Sequence, residues 1–103
     1  MMKSKLMIAL LFALMAGTGT VYAGGDAAAG EAKAANCAGC HGAAGEGMGD
    51  NPPVAGLDAA EHFKMLQEYK AGERGEAMMQ MFTAQLSEED MADIAAYYAT
   101  LGE

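Results

Sequence analysis

Residues Cys37-Ala38-Gly39-Cys40-His41 determine what this chain binds and what its fold must enclose. Two cysteines three positions apart in a helix place both sulfurs on the same side of one turn. Each sulfur can then form a thioether bond to a vinyl group of a haem, and the histidine that follows can coordinate the iron. This spacing is typical of c-type haem attachment. It predicts one covalently bound haem c with its iron, held by Cys37, Cys40 and His41.

Three other uses of the cysteine pair fit the sequence less well. A disulfide leaves His41 and the glycine-rich loop after it without a role. A thioredoxin-like redox pair needs a strand before the motif, whereas the preceding residues have an alanine-rich helical pattern. A structural zinc ion needs four ligands, and the available set would be Cys37, Cys40, His41 and His62, at an unfamiliar spacing.

The N-terminal residues have the pattern of a secretory signal peptide. Two lysines precede an unbroken apolar run at residues 6–16, and a small-residue cleavage site ends at Ala23. The run is shorter than the ~20 apolar residues that span a bilayer. We therefore expect a cleaved signal peptide at residues 1–23, one domain at residues 24–103, and a soluble periplasmic protein without stable membrane insertion.

The acidic composition limits the classes of partner that the chain can bind, and the small size of the domain is a second reason to expect a cofactor. The chain has 103 residues, with 14 acidic and 6 basic side chains and a formal net charge of −8. Such an acidic chain is unsuited to nucleic acid, whose phosphates need Lys and Arg, but it can dock on a basic partner protein. Once the leader is removed, the domain is so small that a single apolar core needs help from a disulfide, a metal or a cofactor.

Three segments of the domain have helical character. The first, residues 26–35, is alanine-rich and begins at a candidate cap, Asp26. The second, residues 58–71, has helical spacing of its apolar residues and ends before Gly72. The third begins with a capping-box-like run of acids and then repeats its apolar residues at Ile94, Tyr97, Tyr98 and Leu101.

The segments between these helices read as loops. Residues 42–57 are dense in glycine and include Pro52-Pro53, and residues 73–86 carry three closely spaced methionines. Loops this long in so small a domain need something to wrap around. The sequence therefore predicts an all-α fold with three main helices and long loops around one haem.

The chain resembles the bacterial class I c-type cytochromes, and most closely their small single-haem cytochrome c-553 type and the single-haem units of related di-haem cytochromes. Four stretches carry the resemblance: residues 25–30, 37–42, 69–72 and 79–98. In this family a glycine on the first helix lets the last helix cross closely. Gly30 matches that glycine, and Ile94 and Tyr97 match its aliphatic and aromatic partners.

A methionine sulfur opposite His41 would complete the coordination of the iron and raise its reduction potential. Met65 and Met91 fall in predicted helices and are most simply core residues, and Met48 lies too near the attachment motif in sequence. The resemblance implies a ligand seven residues before the leucine that precedes the last helix. That position is Met79, with Met78 and Met81 as the alternatives.

The resemblance also implies that a proline carbonyl orients the proximal histidine. Pro52 and Pro53 are both candidates, and the sequence does not choose between them. His62, the second histidine of the chain, is predicted to be a surface residue of the second helix.

These residues predict a one-electron carrier rather than an enzyme. Both axial positions of the iron are expected to be filled, and nothing else in the chain looks like catalytic machinery. One alternative is a haem enzyme or gas- or peroxide-reactive protein, which requires an open iron position. Another is an electron-accepting subunit of a dehydrogenase. The expected partners are redox proteins, a donor and an acceptor that the sequence does not identify.

Overall fold

The computed structural model describes residues 25–102, and in that part of the chain all regular structure is helical. The five helices are α1 (Ala27–Lys33), α2 (Ala35–His41), α3 (Ala59–Ala71), α4 (Ala77–Thr83) and α5 (Glu88–Thr100). The single β-type contact among these residues is an isolated bridge between Met48 and Asn51. The predicted all-α fold is thus confirmed. The signal peptide predicted at residues 1–23 lies outside the described residues.

The helix ends follow the capping residues that the sequence indicates. The Asp26 carboxylate accepts hydrogen bonds from the backbone N–H groups of Ala28 and Ala29 at the start of α1. Ser87 and Asp90 form a reciprocal capping box at the start of α5. Gly72 ends α3 in the left-handed conformation, with φ 77°, which glycine adopts without steric cost.

Two local features differ from the three-helix prediction. The first predicted helix is divided at Ala34, which is the C-cap of α1 and the N-cap of α2. The methionine-rich segment, predicted as loop, contains the short helix α4, which begins after Glu76 at an unusual φ of 107°. Neither helix boundary has a side-chain cap, which is the signal that sequence reasoning relies on to place one.

The crossing of α1 and α5 is the centre of the fold. A Cβ atom at Gly30 would lie 1.9 Å from the backbone oxygen of Asp93, and one at Gly25 would lie 2.2 Å from that of Ala92. The helices therefore touch backbone to backbone, as expected for Gly30. Around the crossing, the buried apolar side chains are Ala34, Leu66, Met91, Ile94, Ala95 and Tyr98.

A buried carboxylate fastens this crossing. Asp93, 4 % exposed, accepts hydrogen bonds from the backbone N–H of Asp26 at 2.7 Å and from Lys33 Nζ at 2.6 Å. Lys33 also forms an ion pair of 2.9 Å with Asp90. Both ends of α1 are thereby tied to α5 through polar contacts as well as through packing.

The loop of residues 42–57 is held to this helical frame by backbone hydrogen bonds. The N–H groups of Val54 and Ala55 both donate to the Gly45 carbonyl, at 2.8 and 3.0 Å, and Gly56 N–H donates to the Tyr98 carbonyl at 2.9 Å. The loop therefore returns to α5 and positions the residues that follow the cysteine motif. Among residues 25–102, no helix is both long enough and apolar enough to cross a membrane.

Candidate functional site

The two cysteines lie on α2, which ends at His41. Both are half-buried free thiols, not joined in a disulfide. Cys37 packs against the core, and burial raises the pKa of its thiol, while a hydrogen bond with the side chain of Tyr98 opposes that shift. Burial is also the main reason that the pKa of Tyr98 is raised. The helix thus presents two reduced sulfurs on one turn, as the spacing predicts.

His41 is buried, at 8 % exposure, and its orientation is fixed by the loop that follows it. Its Nδ1 lies 2.7 Å from the carbonyl oxygen of Pro52. Since a carbonyl can only accept, Nδ1 carries the proton and Nε2 is left as the nitrogen with a free lone pair. The choice between the two prolines, which the sequence left open, falls on Pro52.

The three methionines of α4 are in different environments. Met79 is partly buried and packs against the core. Met78 and Met81 are 53 % and 59 % exposed. The backbone at Met79 is also held, because the buried hydroxyl of Thr83 donates to the Met79 carbonyl at 2.7 Å. The helix therefore turns one of its three sulfurs inward.

The other methionines in the described part of the chain are distributed largely as expected. Met91 is fully buried in the core, whereas Met65 is partly buried. Met48 is 52 % exposed in the loop after the cysteine motif. None of these positions combines partial burial with the location on α4 that the family resemblance implies.

The prediction that His62 lies on the surface is wrong. His62 is 5 % exposed and packs against Tyr98, with 5.7 Å between the ring centroids and 42° between the planes. Burial, with a smaller contribution from His41, lowers the pKa of His62 to about 4. His62 precedes Leu66 by four residues, so the two side chains share the buried face of α3. That spacing was the signal that could have identified it.

Tyr98 and Thr83 had no predicted functional role. Both are 1 % exposed, and each contacts a residue of the predicted site: Tyr98 contacts Cys37, and Thr83 contacts Met79. Tyr98 was identified only as an apolar position of the last helix. Burial of its ring beside the cysteine motif depends on the path of the loop, which no local pattern contains.

The site residues fit a covalently attached haem. Reduced thiols, an imidazole with Nε2 free and an inward thioether are the donor set by which haem c is held. A zinc ion fits less well, since no group of three or more His, Cys, Asp or Glu side chains within residues 25–102 could hold a metal ion.

Comparison with known proteins finds related c-type cytochromes. The cytochrome c family model matches residues 27–102. The chain is 44 % identical over 98 residues to cytochrome c4 of Pseudomonas aeruginosa, covering 94 % of this chain and 48 % of that protein. It is 41 % identical over 80 residues to cytochrome c-554(548) of Halomonas halodenitrificans, covering 74 % and 96 %.

A solved structure shows the same fold. The reduced recombinant cytochrome c4 from Pseudomonas stutzeri superposes with a TM-score of 0.70 at 36 % sequence identity, covering 74 % of this chain and 45 % of that one. The chain therefore spans about half the length of the cytochrome c4 proteins that it matches.

Proposed function

The chain belongs to the cytochrome c family, and we propose that it carries single electrons between redox partner proteins. Membership of the family implies a covalently bound haem c with its iron, and Cys37 and Cys40 fit the attachment motif. When bound, the haem supplies an iron that changes by one electron between its ferric and ferrous states. The protein's own residues would attach the haem and supply two further donors to its iron.

In this proposal Cys37 and Cys40 form the two thioether bonds. His41 would hold the iron through Nε2, because its Nδ1–H donates to the Pro52 carbonyl. That hydrogen bond fixes the ring orientation and makes the ligating nitrogen a stronger electron donor. Met79 would hold the iron through its sulfur, and a thioether ligand would raise the reduction potential because it favours ferrous iron.

The observation that carries the proposal is the environment of Met79. An electron carrier needs both axial positions filled, whereas a peroxide- or gas-reactive haem protein needs one open. Met79 packs against the core and its carbonyl is held by Thr83, while Met78 and Met81 lie exposed on the same helix. A methionine side chain packed inward from this helix supports the carrier over the open-site alternative.

The proposed setting is the periplasm, reached by way of a signal peptide at residues 1–23 that is cleaved before the domain at residues 24–103. The acidic composition, with a formal net charge of −8, favours a partner with a basic docking surface. No substrate chemistry is part of the proposal, since the chain only accepts an electron from one protein and delivers it to another.

Substitution of Met79 tests the proposal directly. In Met79→Ala the haem should stay attached through Cys37 and Cys40, while the charge-transfer band of sulfur-bound ferric haem disappears and the reduction potential falls. Carbon monoxide should bind the reduced variant readily and the parent protein poorly. Visible spectroscopy, redox titration and carbon monoxide binding measure these changes.

Met78→Ala and Met81→Ala are the matched controls, because they remove the same side chain from the same helix. Both should keep the band and the potential. Loss of the band in Met81→Ala but not in Met79→Ala would reassign the ligand and leave the carrier function intact. A parent protein that lacks the band and binds carbon monoxide freely would refute the carrier in favour of an open iron site.

A further inference from the structure

The methionine segment, residues 73–86, has a largely exposed helix at its centre. The side chains of α4 are exposed or half-buried except that of Thr83, which is buried. Glu76, which precedes α4, has a φ of 107° and is the single non-glycine residue with positive φ among residues 25–102. Such a backbone conformation costs energy and persists only where the surrounding structure imposes it. Contacts outside α4 therefore help to determine how this helix lies and where Met79 points.

The side chain of Arg74 joins the beginning of this segment to α3. Its Nε and Nη2 atoms both donate to Glu68 Oε1, at 3.1 and 3.0 Å, and its guanidinium carbon lies 5.6 Å from the ring centroid of Tyr69. That distance is within the range of a cation–π contact. A planar, forked guanidinium can make both contacts at once. The side chain of Arg74 is thus held against the last turn of α3.

The backbone of the same arginine contacts α4. Gln80, the neighbour of Met79, donates from its Nε2 to the Arg74 carbonyl at 2.9 Å. Arg74 therefore bridges two helices, because its side chain binds α3 and its carbonyl binds α4. At the other end of the segment, Lys70 of α3 donates to the Leu86 carbonyl. Both ends of the methionine segment are thus tied to the C-terminal part of α3.

We propose that Arg74 is a positioning residue for electron transfer, and that it keeps the Met79 sulfur directed inward by fixing α4 against α3. The inference rests on the proposed ligation of the iron by Met79. A thioether ligand favours ferrous over ferric iron, so Met79 should leave the iron most readily in the ferric protein. The contacts of Arg74 oppose that release, because they limit how far α4 can move away from α3.

The test compares ferric holoprotein variants by two measurements. Imidazole in excess can replace Met79 only after its sulfur has left the iron, so the limiting rate at which the charge-transfer band disappears measures that release. Hydrogen exchange of the α4 backbone amides measures the movement of the helix independently of the ligand. Arg74→Ala and Glu68→Ala remove the two sides of the contact. Lys64→Ala is the matched control, because it removes an exposed basic side chain of α3 that takes no part in these contacts.

We expect Arg74→Ala and Glu68→Ala to raise the limiting rate by about twofold to fivefold, as for the loss of a partly exposed ion pair, and to speed exchange in α4 but not at the α1–α5 crossing. The double variant should match Arg74→Ala, since both changes remove the same contact, and Lys64→Ala should match the parent. Parent-like rates in Arg74→Ala, or faster exchange at the crossing as well, overturn the inference. Should Arg74→Ala not retain haem, Glu68→Ala decides by the same criteria.

The charge-transfer band of the parent keeps this inference separate from the proposed function. A parent protein that shows the band satisfies the proposed ligation, and unchanged rates in the Arg74 and Glu68 variants then overturn only the role of Arg74. A parent protein without the band refutes ligation by Met79. Hydrogen exchange in α4 then still shows whether Arg74 fixes the helix.

Discussion

The crossing of α1 with α5 is tightly packed and hydrogen-bonded, whereas the methionine segment, residues 73–86, is largely exposed. At the crossing, glycine brings two backbones into contact, and a buried carboxylate fastens the helices. In the segment, α4 has no side-chain cap, begins after a non-glycine residue at φ 107°, and exposes Met78, Met81 and Phe82. Both occur in one small domain, and α5 of the crossing begins just after the methionine segment ends.

The geometry of the two regions is determined by different interactions. The crossing satisfies its backbone and polar groups within the protein, so its geometry follows from steric fit and hydrogen bonding. The methionine segment packs Met79 and the buried Thr83 inward and leaves Met78 and Met81 exposed. Since the methionine segment exposes more of its side chains, we expect the two regions to respond differently to substitution.

Removal of the haem attachment should have the largest effect. In the double variant Cys37→Ala and Cys40→Ala, covalent haem should be lost together with most of the helical circular dichroism, because the apolar core is small without the cofactor. The loss should reach the α1–α5 crossing as well as the methionine segment. A haem-free variant that still unfolds cooperatively would show that the crossing is stable by itself.

Overpacking of the α1–α5 crossing should have the second-largest effect on stability. In Gly30→Ala the new Cβ would meet the Asp93 backbone oxygen at 1.9 Å, so the helices must move apart. We expect a loss of about 3 kcal/mol in the free energy of unfolding, the upper end of the range for overpacked cores, measured by denaturant titration of the holoprotein.

Gly75→Ala is the control in the methionine segment, because a Cβ there meets nothing within 4 Å. Its effect should stay within about 0.5 kcal/mol, as for ordinary surface substitutions. Equal losses in the two variants would contradict the difference between the regions.

The polar fastening of the crossing should make the smallest contribution and should depend on pH. The backbone N–H of Asp26 and then Lys33 hold the pKa of Asp93 below its ordinary value of 3.8. A carboxyl whose pKa is lowered in the folded state stabilises the protein above its unfolded pKa, and this stabilisation is lost as the pH falls through the folded pKa. Asp93→Asn should therefore cost about 1 kcal/mol near neutral pH.

The difference between parent and Asp93→Asn should shrink as the pH falls below about 4, where the parent loses the same charge. Unfolding titrations at a series of pH values measure this, with Asp50→Asn, an exposed carboxylate, as the control. A difference that stays constant down to acid pH would rule out the carboxylate charge as its cause.

The sequence by itself determined the long helices and the attachment chemistry. Caps at Asp26 and Ser87 and the glycine at position 72 are local signals, since each satisfies backbone groups within a few residues. The cysteine spacing is local too, because one helical turn brings both sulfurs to the same side. The close approach at Gly30 was accessible through the family resemblance, which supplied a contact that local patterns do not contain.

Only the tertiary structure decided which residues meet across the chain. The choice of Pro52 over Pro53 depends on the path of the loop back to His41, and the inward position of Met79 depends on how α4 lies on the core. Helical spacing places His62 on the face of α3 that carries Leu66, but only the tertiary structure shows that Tyr98 covers it. Packing between segments far apart in sequence fixes these contacts, and it is this packing that turns a chain with an attachment motif into an oriented haem site.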